Sequence, residues 1–171
     1  RHEVYANELA IGGDILDVEV IFRQTGFKPY ADPVSEYSRM LTELVWDDDR
    51  NRLIAGDIAR EVRQGNSVGA CLVLSDRKQH CLTLQSLLKH KYHVDASVLT
   101  GDVAINQRTK IIGRLNCNQI RILIATGQLI GEGFDCAALS TLFLSTPIRF
   151  SGRLLQYLGR ILRPTQDVKR A

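Results

Sequence analysis

The chain has 171 residues, a length that predicts one globular domain. Hydrophobic residues make up 44% and charged residues 24%, which excludes wholesale disorder, and no apolar run approaches the ~20 residues of a membrane-spanning helix. Net charge is only +3, but the 22 basic residues comprise 16 arginines and 6 lysines. Arginine binds phosphate in a bidentate manner, so this balance mildly favours a phosphate-bearing partner.

The amino terminus and the cysteines predict the setting of the protein. The sequence begins at Arg1 without a signal-peptide pattern, so we expect a piece of a longer protein. His90 and His93 have the spacing of an HxxH motif but lack partner ligands, so no metal site is predicted. A reducing, cytoplasmic setting with three buried free thiols is predicted from the widely spaced cysteines, which form no CxxC pair: Cys71, Cys81, Cys117 and Cys136.

The first third of the chain predicts a lead-in segment followed by a long helix. Residues 17–23 (DVEVIFR) alternate as in a half-buried strand, and residues 26–33 are a connection punctuated by Pro and Gly. A helix is predicted over roughly 35–64, with the acidic cluster 47–49 marking a break or helix start within it. The predicted boundaries are therefore a lead-in of one strand and a connection over 1–34, and the main domain over 35–171.

From residue 68 onward, short apolar runs alternate with amphipathic stretches. The runs at 68–75, 93–101, 120–127 and 140–147 are bounded by Gly, Ser, Asp or Pro, as buried strands are. Stripes of Leu and Ile over 84–88, 111–115 and 154–162 predict the helices that separate and follow them. This order predicts βαβ units, and hence an α/β fold with a parallel sheet covered by helices on both faces.

The glycine-rich run ATGQLIGEGFDC (125–136) is the richest of the predicted strand ends, where ligands of parallel sheets gather. Gly131 and Gly133 begin a G-x-G-x-x-G dinucleotide fingerprint, but Cys136 stands at its third glycine, and no GK[ST] follows as in a P-loop. Two interpretations stay open from this run alone: a Rossmann-like nucleotide site, and a plain turn between a strand and a helix.

The last predicted helix carries a basic stripe. Gln156, Arg160 and Arg163 stand at i, i+4 and i+7, away from the arc of leucines and isoleucines. Six basic residues between 149 and 170 accompany a single acid, Asp167. A solvated basic surface would account for this pattern. The functional interpretation is a helix that aims two arginines at a phosphate, with Gly159 allowing close approach.

Four of these stretches share a family resemblance. QYLGRILRP (156–164) resembles motif VI of the superfamily 2 helicases, and IATGQLIGEGFDC (124–136) resembles their motif V. CLVLSDRKQH (71–80) resembles motif IV, and SVLTGD (97–102) resembles the segment between motifs IV and V. The resemblance covers about residues 68–164, and within the superfamily the motifs are similar in character to those of phage and restriction-type DEAD/DEAH enzymes. It implies the second RecA-like domain of a two-domain motor, a parallel sheet sandwiched between helices.

The resemblance implies a role for each matched residue. Arg160 and Arg163 would be arginine fingers for the γ-phosphate, which are worth ~10³–10⁵ in rate in other nucleotide hydrolases. Gln156 would couple nucleotide state to the other domain, and Gly133 and Asp135 would lie near the nucleotide, with Asp135 contacting the ribose. The residues implied to face the nucleic-acid backbone, without reading its sequence, are Thr100, Gly101, Thr126, Gly127 and Arg77.

The resemblance also implies ATP and Mg²⁺ as cofactors, with the ion held mainly by an N-terminal RecA-like domain. The chain has no P-loop and no DExx sequence, so we expect it to be unable to hydrolyse ATP unaided. Its implied partners are DNA, with RNA not excluded, and that N-terminal domain, but no membrane. Gln107 and Arg108 follow SVLTGD as part of the same segment, but they are adjacent where the family often has a glutamine three positions before an arginine. This departure weighs against a strand-binding role for the two residues.

Alternatives remain at the level of residues and of function. Asp135 could cap a helix, and Thr126 could simply end a strand. Two other functional classes are a Rossmann-like nucleotide-binding enzyme, which would bind its cofactor alone, and the nucleic-acid-binding module of a degenerate helicase. The degenerate module would bind DNA in a salt-sensitive manner and support no ATP hydrolysis in the longer protein.

Overall fold

The computed structural model describes residues 9–11, 14–16, 20–64, 69–127, 136 and 138–147, with side chains from residue 20 onward. Two short antiparallel strands come first, β1 (Leu9–Ile11) and β2 (Asp14–Leu16). Thereafter helices and strands alternate, in the order α1 (Tyr37–Trp46), α2 (Asp48–Gln64), β3 (Ala70–Ser75), α3 (Lys78–Tyr92), β4 (Ser97–Leu99), α4 (Ile105–Asn116), β5 (Ile122–Thr126) and β6 (Leu139–Leu144).

The main sheet has four parallel strands in the order β4-β5-β3-β6, which confirms the predicted parallel α/β architecture. Alternate side chains of each strand enter two separate cores. Leu72, Leu123 and Ala125 pack on the face that α4 covers, whereas Val73 and Ile124 pack against α2 and α3. Burial on both faces explains why these strands read as continuous apolar runs in the sequence.

The cysteines follow the predicted pattern. Cys71, Cys81 and Cys136 are buried, and Cys117 is exposed. Burial raises the pKa of the Cys71 thiol to about 12 and that of Cys81 to about 11, so both stay protonated at neutral pH. Cys81 packs in the core next to α2 and α3, Cys71 is a buried residue of β3, and neither is a nucleophile.

The long helix predicted over roughly 35–64 divides where its acidic cluster predicts a break. Asp47 separates α1 from α2, and its carboxylate accepts a hydrogen bond from the Arg50 backbone amide at 2.7 Å. Asp48 and Asp49 occupy the first turn of α2, where negative charge suits the free amides of a helix start. The prediction of a helix start within the acidic cluster is confirmed.

Two sequence predictions differ from the structure. The strand predicted over 17–23 is absent from residues 20–23, where Ile21 and Phe22 are exposed and Arg23 forms an ion pair with Asp57 of α2 at 2.6 Å. Alternation alone does not make a strand, because a strand also requires a neighbour for its backbone groups. The run 93–101 yields a strand of only three residues, because His93 ends α3 in the left-handed conformation.

The start of the sheet requires a glycine. A Cβ atom on Gly69, just before β3, would lie 2.6 Å from the Ala138 carbonyl oxygen and 2.7 Å from the Ser140 Cβ atom. The absence of a side chain therefore lets β3 and β6 approach at their amino ends. Among the described helices, none has the length and apolar character needed to cross a membrane.

Candidate functional site at the carboxyl edge of the sheet

Residues predicted to face a nucleic acid follow three neighbouring strands. Leu99 of β4 lies opposite Ala125 of β5, so Thr100 and Thr126 leave the sheet side by side. Thr126 also lies opposite Ser75, the last residue of β3. Thr100 is buried at 8% exposure and Thr126 is half-buried. The two hydroxyl-bearing residues thus sit at one edge, which we call the carboxyl edge.

Arg77 lies at the same edge, between β3 and α3. It immediately precedes the first turn of α3, which contains no acidic residue. Its guanidinium donates to the backbone carbonyl of Ser38 at 3.2 Å and to the Ser38 hydroxyl at 2.9 Å. These two bonds hold the Arg77 side chain against α1. They also place a cation beside backbone amides that point out of the start of α3, a combination that suits an anion.

The turn after β4 is held by contacts from two directions. Gly101 is exposed, and its carbonyl accepts a hydrogen bond from the Arg108 guanidinium at 3.0 Å. Arg108 also donates to the Val103 carbonyl at 2.8 Å. Lys78 forms an ion pair with Asp102 at 2.6 Å, joining the start of α3 to this turn. Arg108 therefore shapes the turn by holding its carbonyls.

A chain of buried polar groups lies beneath the carboxyl edge. The Asn51 side-chain amide donates to the Val45 carbonyl at 2.9 Å, which leaves its oxygen 2.9 Å from His80 Nε2. His80 Nδ1 lies 2.9 Å from the Ser75 hydroxyl, and that hydroxyl accepts from the Arg77 amide at 3.2 Å. Asn51, His80 and Ser75 are each 1% exposed. We call these three residues the buried polar chain.

The partners of His80 determine its tautomer and charge. The Asn51 oxygen is only an acceptor, so Nε2 carries the proton and Nδ1 accepts from the Ser75 hydroxyl. Burial, reinforced by the nearby Arg50 charge, lowers the pKa of His80 from 6.5 to about 4. His80 is therefore neutral at physiological pH, and the buried polar chain links α1, α2, α3 and β3 with every one of its side chains hydrogen-bonded.

The end of β6 forms the last part of the edge. The Ser145 hydroxyl donates to the Leu74 carbonyl at 2.6 Å, and Arg50 donates to the Ser145 carbonyl at 2.5 Å. Burial lowers the pKa of Arg50, whose buried Nη1 has no hydrogen-bond partner among the described residues. The Thr146 hydroxyl accepts from the Asp76 amide at 3.0 Å. The loops after β3 and β6 are thus hydrogen-bonded to each other.

The sequence-predicted site divides into two parts in the structure. Thr100, Thr126, Gly127, Gly101 and Arg77 come together at the carboxyl edge. Gly127 is buried directly after β5, whereas Gly101 is exposed. The predicted nucleotide and catalytic residues, Gly133, Asp135, Gln156, Arg160 and Arg163, lie outside the described residues. In the described ranges, no group of three or more His, Cys, Asp or Glu side chains is arranged to hold a metal ion.

Sequence reasoning missed three residues beneath the edge: Asn51, His80 and Arg50. Asn51 and Arg50 are polar residues in the first turns of a helix with an acidic start, a pattern typical of a solvent-facing surface. His80 falls within the stretch that resembles motif IV, but its burial follows from the packing of α3 on the sheet. The one usable signal was its place four residues before Leu84, where the leucine stripe of α3 starts, because residues four apart lie on the same face of a helix.

Comparison with known proteins gives a match to one family and several likenesses of fold. The family model described as the helicase conserved C-terminal domain matches residues 54–165. The transcript termination protein A18 of Myxoma virus is 25% identical over 131 residues, which are 75% of this chain and 27% of the viral protein. The chain thus spans about a quarter of the length of this relative.

Two solved structures have a similar fold. The T4 UvsW structure aligns with a TM-score of 0.62 at 21% identity, covering 80% of this chain and 27% of UvsW. Domain 2 of the DEAD-box helicase Mss116p, solved bound to an RNA duplex, aligns with a TM-score of 0.61 at 15% identity, covering 71% of this chain and 48% of that one. Both likenesses concern the arrangement of the parallel sheet and its helices.

Proposed function

This chain belongs to the helicase conserved C-terminal domain family, and on that premise we propose that it is the second motor domain of an ATP-dependent nucleic-acid helicase or translocase. The observation that carries the proposal is the convergence of Thr100, Thr126 and Arg77 at one edge of the sheet. Hydroxyls, free helix amides and an arginine are groups that bind phosphate oxygens without reading bases.

The carboxyl edge is the proposed nucleic-acid face. The proposed contacts, each to one backbone phosphate or sugar, are Thr100 and Gly101 after β4, Thr126 at the end of β5, Gly127 after it, and Arg77 after β3. DNA is the proposed substrate, because the motifs resemble those of phage and restriction-type enzymes. RNA is the alternative, because domain 2 of Mss116p was solved bound to an RNA duplex. Such contacts give affinity that falls steeply with salt.

The nucleotide face is proposed from the motif residues that follow. Arg160 and Arg163 would reach the γ-phosphate of ATP across an interdomain cleft, Gln156 would couple the nucleotide to the other domain, and Gly133 and Asp135 would contact the nucleotide. An N-terminal RecA-like domain of the same protein would supply the P-loop and hold Mg²⁺, the ion that neutralises phosphate charge in such reactions. ATP binding would close the cleft and hydrolysis would reopen it, shifting the carboxyl edge along the strand.

The test is ATP hydrolysis by the longer protein that contains this chain, measured with and without single-stranded DNA or RNA. We expect nucleic acid to stimulate turnover, and Arg160→Ala to lower the stimulated rate by roughly 10³-fold, the lower end of the range for arginine fingers. Affinity for a non-hydrolysable ATP analogue should change little, because the finger acts on charge that develops in the transition state.

Arg114→Ala is the matched control, because Arg114 is exposed in the last turn of α4, whose end lies near the amino edge of the sheet. Unchanged turnover in Arg160→Ala would remove the finger assignment. Salt-sensitive nucleic-acid binding without any turnover in the unmodified protein would favour the degenerate binding module. Nucleotide-cofactor binding by the isolated chain would favour the Rossmann-like enzyme.

A further inference from the structure

The loops after β3 and β6 are joined in a way that no sequence motif predicts. Asp76 lies next to Arg77 and donates its backbone N–H to the hydroxyl of Thr146, with 3.0 Å between the two atoms. Thr146 is buried, at 5% exposure, so water competes little for this bond. A proposed nucleic-acid loop is thus hydrogen-bonded to the loop that leads out of β6.

The loop after β6 is held on its other sides as well. The Ser145 backbone amide and hydroxyl both donate to the Leu74 carbonyl, at 2.9 and 2.6 Å. The Tyr37 hydroxyl donates to the Pro147 carbonyl at 3.2 Å, from α1. Arg50 donates to the Ser145 carbonyl from α2. Residues 145–147 are therefore hydrogen-bonded to the end of β3 and to two helices, α1 and α2.

The place of residues 145–147 in the chain gives these contacts a consequence. They are the last described residues before the stretch 149–163, which carries Gln156, Arg160 and Arg163. The two loops that Thr146 joins therefore belong, in sequence, to the proposed nucleic-acid face and to the proposed nucleotide face. Coupling between sites requires a contiguous set of packed or hydrogen-bonded groups, and the Asp76–Thr146 bond supplies one.

We infer that Thr146 is a positioning residue that transmits nucleic-acid binding at Arg77 to the arginine-bearing segment after β6. This inference rests on the proposed function. Phosphate binding at Arg77 fixes the Asp76 peptide, and the Asp76 amide fixes the side chain of Thr146, which precedes the arginine-bearing segment in the chain. The Thr146 hydroxyl accepts the Asp76 amide and is not one of the proposed ligand contacts, so we expect its loss to uncouple the two faces without removing a proposed contact to either ligand.

The experiment compares three variants of the longer protein by titrating ATP turnover with a single-stranded oligonucleotide. Thr146→Val removes the hydroxyl and keeps the shape of the side chain, and Thr146→Ser keeps the hydroxyl. Thr141→Val is the control, because the Thr141 hydroxyl is also on β6 but donates to Glu61 at 3.2 Å. The two quantities compared are the maximal stimulated rate and the oligonucleotide concentration that gives half of it.

In Thr146→Val we expect the maximal stimulated rate to fall roughly fivefold, the factor that corresponds to one neutral hydrogen bond. The half-maximal oligonucleotide concentration should stay within twofold of the unmodified protein, since Arg77 is intact. Thr146→Ser and Thr141→Val should retain the full stimulated rate. A loss of packing alone would lower the rate in Thr141→Val as well, and Thr146→Ser would not restore it.

Amide hydrogen exchange of the same proteins gives a second readout. Oligonucleotide should slow exchange over 72–79 and over 143–147 in the unmodified protein, but only over 72–79 in Thr146→Val. Full stimulation of Thr146→Val, a shift in its half-maximal concentration alone, or an unaltered response of 143–147 would each overturn the inference. Absence of stimulation by DNA and by RNA in the unmodified protein would instead overturn the proposed function, and the inference with it.

Discussion

The two edges of the central sheet are built by opposite means. At the amino edge, Gly69 allows β3 to lie against the Ala138 carbonyl and Ser140, and the contact is one of close steric fit. At the carboxyl edge, buried polar side chains support loops whose outer groups are exposed. Steric fit holds strands together and presents nothing to solvent, whereas buried hydrogen bonds hold loops in one conformation while leaving their surface free to bind.

Substitutions at the two edges and in the buried polar chain should therefore have three different kinds of effect. Changes at the amino edge should alter stability and leave nucleic-acid affinity unaffected. Changes to the exposed groups of the carboxyl edge should alter nucleic-acid affinity and leave stability nearly unaffected. Changes to the buried polar chain should alter both, because it supports the domain and the Arg77 loop at once.

The largest effect on stability is expected in the buried polar chain. His80→Ala leaves a cavity and removes the partners of Ser75 and Asn51, which are 1% exposed. We expect a loss of about 3–4 kcal/mol in the free energy of unfolding, measured by urea titration. His90→Ala, at an exposed position of the same helix, should change it by less than about 0.5 kcal/mol. Equal effects of the two substitutions would contradict a structural role for the chain.

The same histidine predicts a pH dependence of stability. The pKa of His80 is about 4 in the folded protein, against 6.5 for a histidine exposed to water, as in the unfolded chain. Between pH 4 and pH 6.5 the unfolded chain therefore binds a proton at His80 that the native state does not bind. The stabilisation that neutral His80 adds to the free energy of unfolding is fully present above pH 6.5. It is lost as pH falls towards 4, on the order of 3 kcal/mol in total. His80→Gln should lack this part of the slope. A variant that loses stability with acid as steeply as the unmodified chain would show that His80 titrates normally.

A smaller loss is expected at the amino edge. Gly69→Ala must push back the Ala138 carbonyl oxygen, a backbone atom that cannot rotate away, so we expect about 2 kcal/mol of destabilisation. Gly113→Ala, in α4 with open space around its new Cβ atom, should instead stabilise the chain by up to about 1 kcal/mol. Nucleic-acid affinity should be the same in both. Reduced affinity in Gly69→Ala would mean that the two edges are not independent.

The smallest effect concerns the ion pair on the surface of the carboxyl edge. Lys78 and Asp102 are 53% and 74% exposed, so water and salt screen their attraction. Lys78→Ala should lower the free energy of unfolding by less than about 0.5 kcal/mol, and added salt should remove even that difference. A loss above about 1 kcal/mol in urea titrations at 0.15 M salt would show that this pair, rather than the Arg108 hydrogen bonds, is the main support of the turn after β4.

Much of the sheet was predictable from the sequence, and the reason is physical. Strands buried on both faces, such as β3 and β5, leave uninterrupted apolar runs, and the amphipathic helices between them leave stripes. The break at Asp47 was predictable because acidic residues gather where helix amides are free. The conformation of residues 20–23 was not predictable from the sequence. An alternating segment forms a strand only beside a neighbouring strand, and the segment itself does not encode that neighbour.

The carboxyl edge was predictable only in the residues at its strand ends. Thr100, Thr126 and Arg77 fall at the ends of predicted strands, where parallel sheets bind ligands. The buried polar chain depends on contacts between residues 29 positions apart, such as Asn51 and His80, and no local pattern carries that pairing. Likewise, no local pattern in the sequence showed that the Arg108 guanidinium supports the turn at Gly101.

The central claim is that the carboxyl edge binds the nucleic-acid backbone, and the most direct test is the salt dependence of oligonucleotide affinity in the longer protein. Arg77→Ala should weaken binding roughly tenfold at 0.1 M salt and reduce the slope of log K against log salt by about 0.7, the contribution of one phosphate contact on a single strand. Arg114→Ala removes the same charge near the amino edge and should leave the slope unchanged. Equal losses in the two variants, or an unaltered slope in Arg77→Ala, would contradict the assignment of this edge as the binding face.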